Sequence, residues 1–453
     1  MATIMQPSIH LTQLSLNRPE QNDIDRELDG ISSAQSPQPS LQSTVISALH
    51  GFEDVPDGGY GWVIVAACSI ITFFFVGLTY SWGVVQAQLT AKHLAKDSSL
   101  SFIGSTAASF VAFGALINAR ILKRIGTRNS ALLACFCLGL GQILSGFATT
   151  NFGALFVSFG IVLGFGVGLC FMACSSLPAQ YFKKRRGLAN GFVFAGGGLG
   201  GGILSISLNF LIEKVGIPWT FRILGFITLA ITMPAAMLLK ERTRRATASM
   251  EWHLFLDKKF IILFVGAGLG TFPILVPPFF IPLYATSLGA STFLSSALLA
   301  LFNLSSAVGR LFFGALCDKV GPLSSLLLAL ILTTISMLAI WPVSGSIAPL
   351  VAFIVINGAG NGGFFSTMPS VVGHIYGGAR LANAMAMVVT GWAFGYFLGA
   401  PVAGWMLDAF GGSAAGRTAF RPAIYFAGSL SLASAVLIMV LRQSIAKKVW
   451  VFA

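Results

Sequence analysis

The sequence predicts an all-α polytopic membrane protein with twelve transmembrane helices in two pseudo-symmetric six-helix bundles, and three observations predict it. Of 453 residues, 55% are hydrophobic and only 9% charged, against roughly 25% charged residues in soluble domains. Apolar runs of about 20 residues, long enough to cross a bilayer, recur along the chain in two groups of six. The cations sit in short clusters between those runs. That placement sets membrane orientation; it does not make the nucleic-acid-binding face that a formal net charge of +13 would otherwise suggest.

Residues 1–56 are rich in Ser, Gln and Pro, carry several acids and show no hydrophobic period, so they read as a disordered cytoplasmic tail. They lack a basic region followed by a short apolar core, which excludes a signal peptide. The N-terminal bundle, 57–240, takes apolar runs near 61–82, 101–119, 130–149, 152–174, 187–211 and 220–239. A charged cytoplasmic loop follows at 241–258. The C-terminal bundle, 259–442, takes runs near 260–284, 291–315, 322–341, 348–372, 381–407 and 421–441. A second cytoplasmic tail covers 443–453.

Basic clusters at Arg120–Arg128, at Lys183, Lys184, Arg185 and Arg186, at Lys240–Arg245 and at Lys258–Lys259 fall on the side of both termini. Lys92, Lys96, Lys214, Arg222, Arg417 and Arg421 face the other side. The asymmetry predicts both termini in the cytoplasm, and the plasma membrane is the expected location. Beyond the N-terminal acids, the carboxylates are Asp97, Glu213, Glu241, Glu251, Asp257, Asp318 and Asp408, each in a loop or at a helix end. None lies at mid-membrane. The six cysteines fall in or at the ends of apolar segments and read as small packing residues, without zinc-site or extracellular pairing patterns.

The halves repeat. ARILKRIG at 119–126 parallels GALCDKVG at 314–321, and Pro178 with Leu188-Ala189-Asn190 is echoed by Pro369 with Leu381-Ala382-Asn383. Nearly constant offsets point to a duplicated six-helix unit, a common transporter design. Glycines from Gly191 to Gly202 are expected to let another helix approach closely.

Two stretches resemble signatures of the major facilitator superfamily and, within it, the monocarboxylate porter family. They are Asp57-Gly58-Gly59-Tyr60-Gly61-Trp62 before and into the first helix, and Tyr181 to Gly191 into the fifth. The resemblance covers about residues 55–442. Gly126 with Arg128, and Asp318 with Gly321, resemble the superfamily's cytoplasmic gates. Asp57, Gly58, Gly59 and Trp62 also read as an interfacial turn and anchor, and Lys183 to Arg186 as the cations that hold their loop in the cytoplasm. Proton-coupled members carry a lysine in the first helix and an aspartate one turn before an arginine in the eighth. Here the first helix reads Thr79-Tyr80-Ser81 in that region, and Ser306 precedes Arg310.

Arg310 is the one charged side chain deep in an apolar run, where a guanidinium costs roughly 2.5–3.5 kcal/mol on insertion scales. Two roles fit it: an anchor for a carboxylate or enolate-like oxygen pair, or a gate partner of Asp318. Asn303, two helical turns before it, and Asn357 with Asn361 read as cavity lining or as interhelical hydrogen-bond glue. Tyr80, Gln86, Phe364, Phe365, Trp392 and Tyr396 read as an aromatic and polar cavity wall or as packing.

The resemblance implies a secondary active transporter that moves a small organic, acidic solute by alternating access, leaning to efflux of a secondary metabolite. Uptake of a monocarboxylate or riboflavin is the alternative, followed by a transporter-like nutrient sensor. Its partners would be the solute, the lipid bilayer and protons as coupling ion, without nucleic acid. The chain shows no phosphate loop, paired catalytic carboxylates or histidine cluster in its spans, so neither an enzyme nor a cofactor or metal site is expected.

Overall fold

Long apolar segments in hydrocarbon must satisfy their backbone groups internally, and a helix does so within each segment. The computed structural model accordingly shows helices and no strand among the residues it describes, which are 58–182, 186–242, 252–376 and 381–445. The helices of the first half are α1 (Tyr60–Tyr80), α2 (Trp82–Ala91), α3 (Asp97–Phe113), α4 (Ala115–Ser145), the single turn α5 (Phe152–Leu155), α6 (Gly164–Ser176), the single turn α7 (Pro178–Tyr181) and α8 (Arg186–Met237). A π-helical stretch, Phe156–Leu163, joins α5 to α6. The second half holds α9 (Lys258–Thr271), α10 (Val276–Ser287), α11 (Thr292–Val320), α12 (Pro322–Ile335), α13 (Ile347–Tyr376), α14 (Leu381–Gly391), α15 (Ala393–Ala409) and α16 (Arg421–Ile445).

Nine segments among the described residues are long and apolar enough to cross a membrane. One of them, Leu188–Met237, has 50 residues, about twice a crossing, and is divided at Gly216 (φ +76°) just before Pro218. The second and third crossings come from α3 and α4. α3 is 17 residues long, and α4 carries Arg120, Arg124 and Arg128 and is divided at Gly126. With these divisions the helices give the twelve crossings expected from the sequence.

The sequence repeat has a backbone counterpart. Gly126 divides α4 at φ +85°, ψ +161°, and Gly321 separates α11 from α12 at φ +94°, ψ +150°. An L side chain rarely adopts that region, so both copies of the repeat retain the residue that can make the bend.

The two most extensive seams between the halves are α8 against α11 and α3 against α15. The glycine run serves the first seam with two faces. A Cβ at Gly196 or Gly197 would lie 2.5 Å from the Ser69 carbonyl oxygen or 2.7 Å from the Val76 Cβ, both on α1. At Gly198 or Gly201 it would lie 2.7 Å from the Ala307 Cβ or 2.6 Å from the Asn303 Cγ, both on α11. One helix thus packs closely within its own half and across to the other, which only the smallest residues permit. At the second seam, Phe397 of α15 meets Phe102 and Phe113 of α3 with ring centroids 4.8 and 5.6 Å apart.

Candidate functional site

Asn303, Ser306 and Arg310 fall at i, i+3 and i+7 on α11, so helical geometry puts them on one face. Arg310 is only 2% exposed. Its Nη1 donates to the Phe194 carbonyl of α8, in the other half, and its guanidinium carbon lies 5.4 Å from the centroid of the Phe365 ring. Its Nε has no hydrogen-bond partner. Asp318, eight residues further on, is exposed near the end of α11. The structure therefore directs Arg310 into the seam and leaves Asp318 out of its surroundings.

A carbonyl dipole and a ring face lie against the buried cation here. Neither carries a full negative charge.

The aromatic residues gather beside it. Trp392, 1% exposed, has ring centroids 5.6 Å from Phe364, 6.1 Å from Phe365 and 6.4 Å from Tyr396. Its indole Nε1 has no acceptor. Tyr80 closes α1, where the chain breaks at Ser81; the Ser81 hydroxyl lies 3.2 Å from both the Gly201 carbonyl and the Ser205 hydroxyl of α8.

The three amides separate into two kinds. Asn303 is fully buried against the glycine notch of α8; its Nδ2 donates to the Leu299 carbonyl of its own helix at 3.2 Å, and its Oδ1 accepts nothing. Asn357 donates to the Ser336 hydroxyl at 2.9 Å, and Asn361 to the Ile274 carbonyl at 3.1 Å, between α9 and α10. Both thereby tie second-half helices together, although their Oδ1 atoms also lack donors. Ser306, whose hydroxyl is buried without a partner, joins Arg310 and Asn303 on the seam.

The gating and topology residues meet elsewhere. Asp57, Lys183, Lys184 and Arg185 lie outside the described residues, and Arg186 opens α8. Gly58 and Gly59 form the turn into α1, with their carbonyls accepting from Gly61 and Trp62 at 3.2 and 3.1 Å. Trp62 packs edge-on to Phe182 and Phe192 at 5.0 and 6.2 Å, and a Cβ at Gly61 would lie 2.9 Å from the Tyr181 Cβ. The two stretches that carry the sequence resemblance are thus packed on each other.

Their hydroxyls, Tyr60 and Tyr181, donate to the Leu238 and Lys240 carbonyls at the end of α8, each at 2.8 Å. Desolvation pushes the Tyr181 phenol above its ordinary pKa, which keeps it a donor. Glu241 accepts from the Thr127 backbone N–H at 2.9 Å and from its hydroxyl, and Gln180 accepts from the Arg242 N–H at 3.0 Å. These contacts make a collar at what we term the basic end. Asp318 and Gly321 lie at the α11–α12 turn.

The Phe194 carbonyl escaped sequence reasoning because a backbone atom on another helix has no side-chain signature. Ser205 had a weak signal, four residues after Gly201 on the glycine face.

A sequence profile described as Major Facilitator Superfamily matches residues 62–346 and 260–451. The chain is 29% identical to an MFS-type transporter of an Ophiocordyceps species, over 71% of this chain and 73% of that one. It is 28% identical to the aspyridones efflux protein of Emericella nidulans, over 80% and 74%, and 26% identical to an agnestins efflux protein of Paecilomyces divaricatus, over 84% and 87%. Among solved structures, a mutant of the nucleoside transporter NupG superposes with a TM-score of 0.66 at 14% identity, over 83% of this chain and 99% of that one. At that identity the likeness concerns the fold.

Proposed function

The chain belongs to the Major Facilitator Superfamily, and from that premise we propose that this transporter exports a small acidic organic metabolite, with Arg310 as the anchor for its oxygens. The observation that carries the reading is a guanidinium, nearly fully buried at a seam between the halves, whose neighbours are neutral. A carboxylate or enolate-like oxygen pair supplies the missing charge, and a guanidinium edge matches its geometry. Phe365 and Trp392 give the solute an apolar surface, and the Trp392 N–H and Asn303 Oδ1 supply a free donor and acceptor. Aspyridones and agnestins are the named cargo of two relatives; this supports efflux and the secondary-metabolite class.

In this reading the chain is a fungal-type member of the monocarboxylate porter family and spans the plasma membrane with both termini in the cytoplasm. The signature stretches around Trp62 and Tyr181 and the basic clusters support that assignment.

The test compares metabolites inside and outside cells with and without the gene, then follows the identified solute in proteoliposomes. Retention of an acidic metabolite in cells lacking the gene, and at least about a hundredfold loss of its flux in Arg310→Gln, are expected. Wild-type flux of that solute in a correctly folded Arg310→Gln overturns the anchor. Accumulation of the solute outside deleted cells overturns export in favour of uptake.

A further inference from the structure

At the end opposite the collar, three acids accept hydrogen bonds from the opposite half. Asp408, near the end of α15, accepts from the backbone N–H of Ser98 in the first turn of α3 at 3.3 Å. Asp97, its neighbour on α3, accepts from the backbone N–H of Ser413, just beyond α15, at 3.4 Å. The two carboxylates reach between the halves in opposite directions, and Thr90 fixes Asp97 through a 2.7 Å hydrogen bond. At the other seam, Glu213 of α8 accepts from the Thr292 hydroxyl at the start of α11 at 3.2 Å, while Asn209 holds the same oxygen at 2.8 Å.

The backbone makes room for these contacts. A Cβ at Gly404 of α15 would lie 2.7 Å from the Ser98 Cα. A Cβ at Gly104 of α3 would lie 2.5 Å from the Trp82 ring and 2.7 Å from that of Phe279 on α10. This end is therefore closed by both close packing and carboxylates, and Asp408 adds negative charge where the α3 dipole favours it.

At the basic end, acids also accept hydrogen bonds within their own half. Glu241 accepts from Thr127 within the first half, and Asp257 from Lys259 N–H and the Tyr376 hydroxyl within the second.

We propose that Asp97, Glu213 and Asp408 form a latch across both seams that holds the end opposite the collar closed and must break each time the halves rock apart. Hydrogen bonds to charged acceptors are stronger than those to neutral ones, and three carboxylates acting together bias a two-state equilibrium. All the donors are neutral backbone N–H, hydroxyl or amide groups, so the latch can release without parting an ion pair. The inference rests on alternating access and is independent of Arg310 and of the solute.

The test places spin labels on the full-length protein at Lys92→Cys and Phe410→Cys, both exposed and in opposite halves, with Cys137→Ser because the other five native cysteines are buried. Distances are measured in lipid nanodiscs. The parent is expected to show mostly one short distance. In Asp97→Asn/Glu213→Gln/Asp408→Asn, a population longer by at least about 5 Å is expected to grow about tenfold relative to the short one.

Glu241→Gln, which removes a carboxylate from the basic end, is expected to leave the distribution unchanged. Thr292→Val keeps all three acids, removes one cross-seam donor and is expected to give a smaller shift in the same direction. An unchanged distribution in the triple variant, or an equal shift in Glu241→Gln, overturns the latch. Should the triple variant fail to fold, an unchanged distribution in Thr292→Val overturns it.

Discussion

The seam around Arg310 and the collar at the basic end use the same materials, hydroxyls and backbone carbonyls beside aromatic rings, but satisfy them to different degrees. In the collar, Tyr60, Tyr181 and Thr127 all donate to defined acceptors. In the seam, Arg310 Nε, Trp392 Nε1, Ser306 Oγ and Asn303 Oδ1 are buried without partners. Leaving such a group unpaired costs roughly 1–3 kcal/mol. In the proposed anchor reading, a solute completes the unpaired groups of the seam, whereas the collar's donors already have their acceptors. The collar carries the family resemblance, and the seam carries the proposed solute anchor.

The largest expected effect sharpens this contrast. Arg310→Met removes a buried charge that lacks a counter-charge, so Tm in detergent is expected to hold or rise while export falls at least about a hundredfold. Glu241→Ala should do the reverse. It removes the carboxylate that accepts from the Thr127 N–H, lowers stability by about 1–2 kcal/mol and keeps flux within about twofold of the parent. If Arg310→Met loses as much Tm as Glu241→Ala while retaining flux, the two regions are of one kind and the comparison fails.

A smaller effect is expected from Asn303→Ala. Its amide bonds only within its own helix and its Oδ1 is free, so Tm should shift little. If that oxygen meets the solute, KM for export rises about tenfold with a smaller change in kcat. A drop in Tm without a change in KM would instead make Asn303 a filler of the Gly198–Gly201 notch.

Much of the fold was legible because membrane helices are local objects. Apolar length gave the crossings, and the ARILKRIG and GALCDKVG repeat anticipated two bends that both place glycine in the same unusual backbone region. The glycine run was read as a close-packing surface, and it is one on two faces. Arg310 stood out by charge. Its partner did not, because the Phe194 carbonyl is set by how two distant helices dock. The same holds for Asp97, Glu213 and Asp408. Each was visible at a helix end, yet an acid that caps its own helix and one that reaches into the other half look identical in sequence.

The smallest expected effect decides how far the seam extends. Asn357 resembles Asn303 in its buried, unpaired Oδ1, but its Nδ2 joins α13 to Ser336 in the same half. Interhelical hydrogen bonds of this kind average about 0.6 kcal/mol in membranes. Asn357→Ala is therefore expected to lower Tm slightly and leave KM unchanged, and the drop should be largely absent when Ser336→Ala is already in place, since the two residues share one bond. A rise in KM comparable to that of Asn303→Ala would place the Asn357 oxygen in the solute site. In that case an unsatisfied acceptor, and not the seam between the halves, would be the feature that marks contact with the solute.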